Sequence, residues 1–295
     1  MKVILAEAFG MCFGVRDALQ RVAAVDNPCA TTIHGELVHN EVVLHQLDER
    51  GFAQQSEHDR DDTPDTPDVL ITAHGISDRR RAELLAAGKR LIDTTCPLVR
   101  RVHSAAQQLE RDGYHVLVLG KQGHVEVQGI VEDLTSYHVL DQIRQVAGYP
   151  HARLGVVCQT TLPPALADAL VRKIRRLNPH GELRFIDTIC DPTRQRQRAM
   201  ETLLTQVQAV VVVGGHNSNN TRQLVALCEQ RRVPVRHVAT VGDLDWGWLA
   251  QFDTIGLTAG TSTLDATVEE VHAALTRFKP ISPATTFQPC CKGSI

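Results

Sequence analysis

The chain has 295 residues, a length suited to two or three small domains, and its 43% apolar content is ample for packed cores. A formal charge of −3 with 22% charged residues gives no general pull toward nucleic acid or an anionic membrane, and no apolar run approaches the roughly 20 residues of a membrane span. Eight cysteines spread over the whole length exclude the dense disulfide framework of a small secreted domain and fit a reducing, cytoplasmic setting.

In chain order, KVILA reads as a first strand, because Glu7 breaks the apolar run before a signal-peptide core is reached. A Gly-containing turn and Cys12 follow, and then RDALQRVAAV predicts a helix. DVLITA, HVLVLG, RLGVVC, AVVVVGG and TIGLTAG predict further strands, whereas SDRRRAELLAAG, PPALADALVRKIRRL and TRQLVALCEQRR have helical patterns. Strands alternating with helices predict βαβ units, largely parallel sheets and ligands at the carboxyl ends of strands. The acidic stretch SEHDRDDTPDTPD reads as a solvated surface connection. In the tail KPISPATTFQPCCKGSI, with Cys290 and Cys291, the Pro and Ser content argues against stable structure.

Two segments are nearly superimposable: RLIDTTCPLVRRVH and RFIDTICDPTRQRQ. Each has a basic residue, apolar residues, Asp-Thr-x-Cys and then a helix start. Cys12 occupies a comparable strand-to-helix position, so Cys12, Cys96 and Cys190 recur at intervals of 84 and 94 residues (96 − 12 and 190 − 96). The expectation is a pseudo-threefold α/β protein, each unit presenting one cysteine to a common centre. The expected boundaries are 13–96, 97–189 and 190–280, with strand 1–12 joined to the third unit and 281–295 as a tail. A cysteine at a helix N-terminus has its thiolate favoured by the dipole and free N–H groups. Three thiolates at one point need a cation, and either zinc or a four-iron cluster with one open position satisfies them. Cys29, Cys158 and Cys228 read as small buried hydrophobes.

Three histidines sit at expected strand ends: His39 in GELVHNE, His74 in ITAHGIS and His124 in LGKQGHVEVQG. Together they point to a shared anionic ligand. GGHNSNNTRQLV and TAGTSTLDATVEEV are Gly-containing loops that lead into helices, and their hydroxyls, carboxamides and helix N–H groups suit a phosphate or diphosphate. Plain helix capping by the same residues is the competing reading, and Gly-Lys-Ser/Thr is absent. Glu126 follows His124 by two residues, where burial near an anion raises a carboxyl pKa toward proton donation. Thr160, in CQTTLPP, is placed either to orient that carboxyl or to cap the following helix.

Nine motifs in order, GMCFGV, LVHN, TAHGIS, DTTCPLV, GHVEVQG, QTTL, DTICDPT with a following RQ, NSNNTRQL and TAGTS, resemble the 4-hydroxy-3-methylbut-2-enyl diphosphate reductase (IspH/LytB) family over nearly the whole chain up to the tail. The resemblance implies a trefoil of three α/β domains around a [4Fe–4S] cluster held by Cys12, Cys96 and Cys190, with one open iron for the substrate's terminal hydroxyl. It implies diphosphate binding by His39, His74, His124, Ser218, Asn219, Asn220 and Ser262, and proton delivery by Glu126 with Thr160 orienting it. Electrons would come from a ferredoxin or flavodoxin, and the products would be isopentenyl and dimethylallyl diphosphate. A paralogous reductase of another allylic diphosphate, or an iron–sulfur sensor or electron carrier, are the alternatives. The chain departs from the family pattern at Val125, often Pro, at Asn219, Ser in some members, and at Asp191-Pro192, usually Ala-Thr, which adds a carboxylate near a ligand.

Overall fold

The computed structural model describes residues 1–278. β1 (Lys2–Leu5) leads into α1 (Phe13–Ala23), followed by β2 (Thr31–His34), α2 (Glu41–Glu49), β3 (Ala53–Gln55), β4 (Asp68–Ile71), α3 (Asp78–Ala86) and β5 (Arg90–Asp93). Next come α4 (Pro97–Arg111), β6 (His115–Leu119), α5 (Val125–Val131), β7 (Tyr137–Leu140), β8 (Arg153–Cys158), α6 (Pro164–Leu177) and β9 (Glu182–Phe185). The remainder is α7 (Asp191–Leu204), β10 (Ala209–Val213), α8 (Asn219–Gln230), β11 (Val235–Val238), α9 (Trp246–Leu249), β12 (Thr254–Ala259) and α10 (Asp265–Arg277). No helix among the described residues is long and apolar enough to cross a membrane.

The strands form three four-stranded sheets, ordered β3-β2-β4-β5, β7-β6-β8-β9 and β11-β10-β12-β1. Every pairing is parallel. All three share one topology, with a unit's second strand at the edge, then its first, third and fourth. In the third sheet the fourth strand is β1, supplied from the other end of the chain and paired from Lys2 opposite Thr254 to Leu5 opposite Leu257. The pseudo-threefold α/β arrangement expected from the repeat is therefore a threefold reuse of one parallel sheet.

Central strands are buried on both faces, which is why they read as unbroken apolar runs. In β6, Leu117 and Leu119 face Leu170 and Ile174 of α6, whereas Val116 and Val118 face Val102 and Leu109 of α4. β10 divides likewise, with Val211 and Val213 on one face and Val210 and Val212 on the other. Each such side chain contributes about 1.5–3 kcal/mol on burial. The edge strands are half exposed, as in ELRF and VRHV, and lack that signal.

In every sheet the chain reverses direction of progress between the first and third strands, the crevice where parallel sheets bind ligands. The loops after β2 and β4, after β6 and β8, and after β10 and β12 therefore open toward ligand-binding positions. The fourth strands β5, β9 and β1 feed α4, α7 and α1.

Candidate active site

Cys12, Cys96 and Cys190 are the N-cap residues of α1, α4 and α7, and none uses its side chain to cap the helix. All three line one cavity, together with His39, His74, His124, Glu126, Thr160, Ser218, Asn219, Asn220 and Ser262. Its volume of about 90 Å³ is several times the ~10–15 Å³ that a single water requires. The threefold fold explains the convergence. Each unit sends one loop from its first strand, one from its third and one cysteine from its fourth.

Close packing holds the thiols. Gly14 has no side chain because a Cβ there would lie 2.6 Å from Cys96 Sγ, and Thr193 Oγ1 lies 3.1 Å from Cys190 Sγ. The helix-dipole expectation is outweighed by burial. Burial pushes the Cys96 thiol up against the opposing N–H groups of Leu98 and Val99, and it pushes Cys190 up to about 11 against the hydroxyl and N–H of Thr193. Charge on Cys12 and Glu126 adds to the rise in both. Among the described residues, the only His/Cys/Asp/Glu group whose ligand atoms all lie within 4.8 Å of one another is His39, Glu57 and His74. At least one pair of the three sulfurs therefore lies farther apart than 4.8 Å, beyond the roughly 3.8 Å separation that tetrahedral Zn–S bonds of about 2.3 Å impose.

Beside the thiols the three imidazoles form a cluster. His39 stacks on His74 with ring centroids 4.3 Å apart, and His124 meets them edge-on at 5.3 and 5.8 Å. Burial holds His124 down to about 3 and His74 well below the usual imidazole range. His124 Nδ1 accepts the N–H of Glu126 at 3.1 Å, so the neutral ring carries its proton on Nε2. His39 Nδ1 donates to Glu36 Oε2 at 2.7 Å. Across the cavity, Asn220 Oδ1 accepts the N–H of Thr261, while its buried Nδ2 has no acceptor among the described residues. Ser218 caps α8, Asn219 Nδ2 donates to Thr161 Oγ1 at 3.0 Å, and Ser262 Oγ donates to His39 O at 3.2 Å. Neutral N–H donors and an unpaired carboxamide suit an anion with several oxygens.

Glu126 is 1% exposed. Thr160 donates to it twice, from N to Oε1 at 2.6 Å and from Oγ1 to Oε2 at 2.9 Å. Those bonds favour the carboxylate, yet burial is larger and raises the pKa to about 7. Thr160 does not cap α6, whose N-cap is Pro163.

Other residues shape the site without the sequence having singled them out. Asn40 caps α2 through Oδ1 and donates from Nδ2 to Ser262 O at 2.7 Å, fastening the third unit to the first. The acidic stretch is mostly exposed, as expected, but Glu57 and Arg60 within it are partly buried behind the histidines. Glu57 Oε1 accepts the N–H of Glu36 at 2.9 Å, and Arg60 donates to Glu57 at 3.3 Å and to Gly75 O at 2.9 Å. Glu57 thereby reaches the back of the His39–His74 pair. Asp191 is exposed and outside the cavity lining; its neighbour Pro192 lines it from the first turn of α7, where a missing N–H costs no helix bond. Val125 is buried as the first residue of α5. Cys290 and Cys291 lie outside the described residues.

Fold and site together define a three-unit parallel α/β protein with a three-thiol, three-imidazole pocket. A family model described as LytB protein matches residues 3–276. A 4-hydroxy-3-methylbut-2-enyl diphosphate reductase of Pelobacter propionicus is 34% identical over 281 residues, covering 92% of this chain and 96% of the relative. One of Dehalococcoides mccartyi is 35% identical over 291 residues, covering 94% and 99%. The solved structure of the E-1-hydroxy-2-methyl-but-2-enyl-4-diphosphate reductase from Plasmodium falciparum is similar with a TM-score of 0.85 and 30% identity, over 93% of this chain and 88% of that one. The chain belongs to the LytB protein family.

Proposed function

We propose that this chain reductively dehydroxylates 4-hydroxy-3-methylbut-2-enyl diphosphate to isopentenyl and dimethylallyl diphosphate, the last step of the non-mevalonate isoprenoid route. The observation that carries the reading is the single cavity in which three thiols, three imidazoles, a free carboxamide and a proton-holding carboxyl meet. Each unit is taken to run between helix-capping cysteines, as 13–96, 97–189 and 190–280 with 1–12.

Cys12, Cys96 and Cys190 would hold a [4Fe–4S] cluster, whose open iron supplies Lewis acidity and one-electron reduction. The chain's own residues do the rest. His39, His74, His124, Ser218, Asn219, Asn220 and Ser262 bind the diphosphate, with His124 Nε2–H and Asn220 Nδ2–H as donors to its oxygens. Glu126, its pKa raised to about 7, keeps a protonated form available near neutral pH and delivers its proton to the departing hydroxyl oxygen, while Thr160 fixes the direction of the carboxyl. A ferredoxin or flavodoxin in the cytoplasm would supply electrons. A bare electron carrier has no use for this anion-binding wall.

Anaerobic purification with iron and sulfide analysis tests the centre, and about four of each per chain are expected. Turnover with several allylic diphosphates tests the substrate, and preference for another one would assign the chain to a different reductase. Packing supplies a further test. In a Gly14→Ala variant the added methyl would enter the space of Cys96 Sγ, so most of the iron should be lost while the far-ultraviolet circular dichroism stays unchanged. Full iron content in that variant would remove Cys96 from the centre.

A further inference from the structure

Arg196 lies on α7, six residues beyond Cys190, and is 5% exposed. Its Nη1 donates to Pro192 O at 3.1 Å, and its Nη2 donates to Gly10 O and, at 3.4 Å, to Phe9 O. Gly10 adopts φ +67°, a conformation disfavoured for other residues. One guanidinium thus spans the turn that delivers Cys12 and the first turn of the helix capped by Cys190.

Among the described residues Arg196 has no carboxylate partner. The arginines one turn beyond each cysteine all have one: Arg16 pairs with Asp265 at 2.9 Å, Arg100 with Asp93 at 2.9 Å, and Arg194 with Asp187. Arg196 takes part in no ion pair among the described residues, and its Nε has no hydrogen-bond partner there. Burying an uncompensated charge costs several kcal/mol. Burial weakens its hold on the proton, and the groups that oppose this most are Cys12 and Cys190; Asp265 acts less strongly. Two of the carbonyls that it binds lie two residues from a cysteine, Gly10 before Cys12 and Pro192 after Cys190, so the anion that compensates Arg196 is sought at the thiols.

We propose that Arg196 is a positioning residue for the metal centre, tying the Cys12 turn to the Cys190 helix, and the buried counter-cation of the centre's negative charge. The proposal rests on the reading that the three cysteines hold an iron–sulfur cluster. A fixed cation beside such a centre favours the reduced, more negative state, so its removal lowers the reduction potential.

Mediated spectroelectrochemical titration of the anaerobic holoprotein tests this, alongside iron and sulfide content and thermal melting. In Arg196→Gln the equilibrium constant for one-electron reduction should fall about tenfold, which at 59 mV per decade is a shift of about 60 mV. Arg196→Lys keeps the charge but loses the forked bonds, so its potential should stay near wild type even if the melting temperature drops. An unchanged potential in Arg196→Gln overturns the proposal, as does an equal fall in both variants. If Arg196→Gln does not accumulate folded, the Lys variant decides alone, and a tenfold fall there overturns the counter-cation role. Wild-type protein without iron and sulfide would instead defeat the reading of the three cysteines, and the inference with it.

Discussion

Replacement of Cys12, Cys96 or Cys190 by Ser, one at a time, should abolish turnover and destabilise the iron–sulfur centre in all three variants. Equal losses are expected because the positions are equivalent in the fold: each cysteine follows the fourth strand of its sheet and caps the next helix. A metal centre deprotonates and binds its thiol ligands together, and loss of one ligand leaves the other two with a cluster they cannot retain. The remaining cysteines serve as controls. Cys29 is exposed, contrary to the buried position expected of it, whereas Cys158 and Cys228 are buried away from the cavity as expected; burial pushes the Cys228 thiol up to about 12 and its Sγ donates to Leu224 O at 3.3 Å. Their replacement should leave iron content near normal. Retained iron and activity in any one of the first three variants would remove that cysteine from the centre.

The Asp-Thr-x-Cys repeat was legible because both copies use the same local device. Asp93 Oδ1 accepts the N–H of Thr95 at 2.9 Å, Asp187 Oδ1 accepts that of Ile189 at 3.1 Å, and each carboxylate pairs with the arginine one turn beyond its cysteine. Cys12 carries no such signature because its arginine, Arg16, takes Asp265 from the far end of the chain instead. β1, expected from the sequence to join the third unit, pairs with β12 from the far end of the chain. Central strands declared themselves by being buried on both faces, whereas β3 (AQQ) offered no apolar run to read. Glu57 and Arg60 were obscured by their acidic surroundings; only the folded chain turns them inward behind His39 and His74. The raised pKa of the Cys96 and Cys190 thiols was hidden for a different reason. Helix position is written in sequence, but the burial that outweighs it is a tertiary property.

Glu126→Gln should load its centre and bind diphosphate as the wild type does, while turnover falls by about 10²–10⁴-fold, or about 2.7–5.4 kcal/mol in the barrier. Gln keeps the size of the side chain and can still accept from Thr160, but it has no carboxylic proton to give. The pH profile provides a second readout. Burial lifts the Glu126 carboxyl to about 7, so the proton-donating form predominates below that pH and is lost as pH rises through it. Wild-type turnover should therefore decline on the alkaline side of about 7, and that limb should be missing from the residual activity of the Gln variant. His124→Ala should behave oppositely. It removes a donor to the anion, and a hydrogen bond to a charged group is worth about 1.5–3 kcal/mol, so diphosphate affinity should fall by roughly 10–150-fold. Spectroscopic titration of substrate alongside turnover separates the two effects. A Glu126→Gln protein with near wild-type turnover sinks the proton-donor assignment, and one that loses affinity as severely as rate would make Glu126 a binding residue instead.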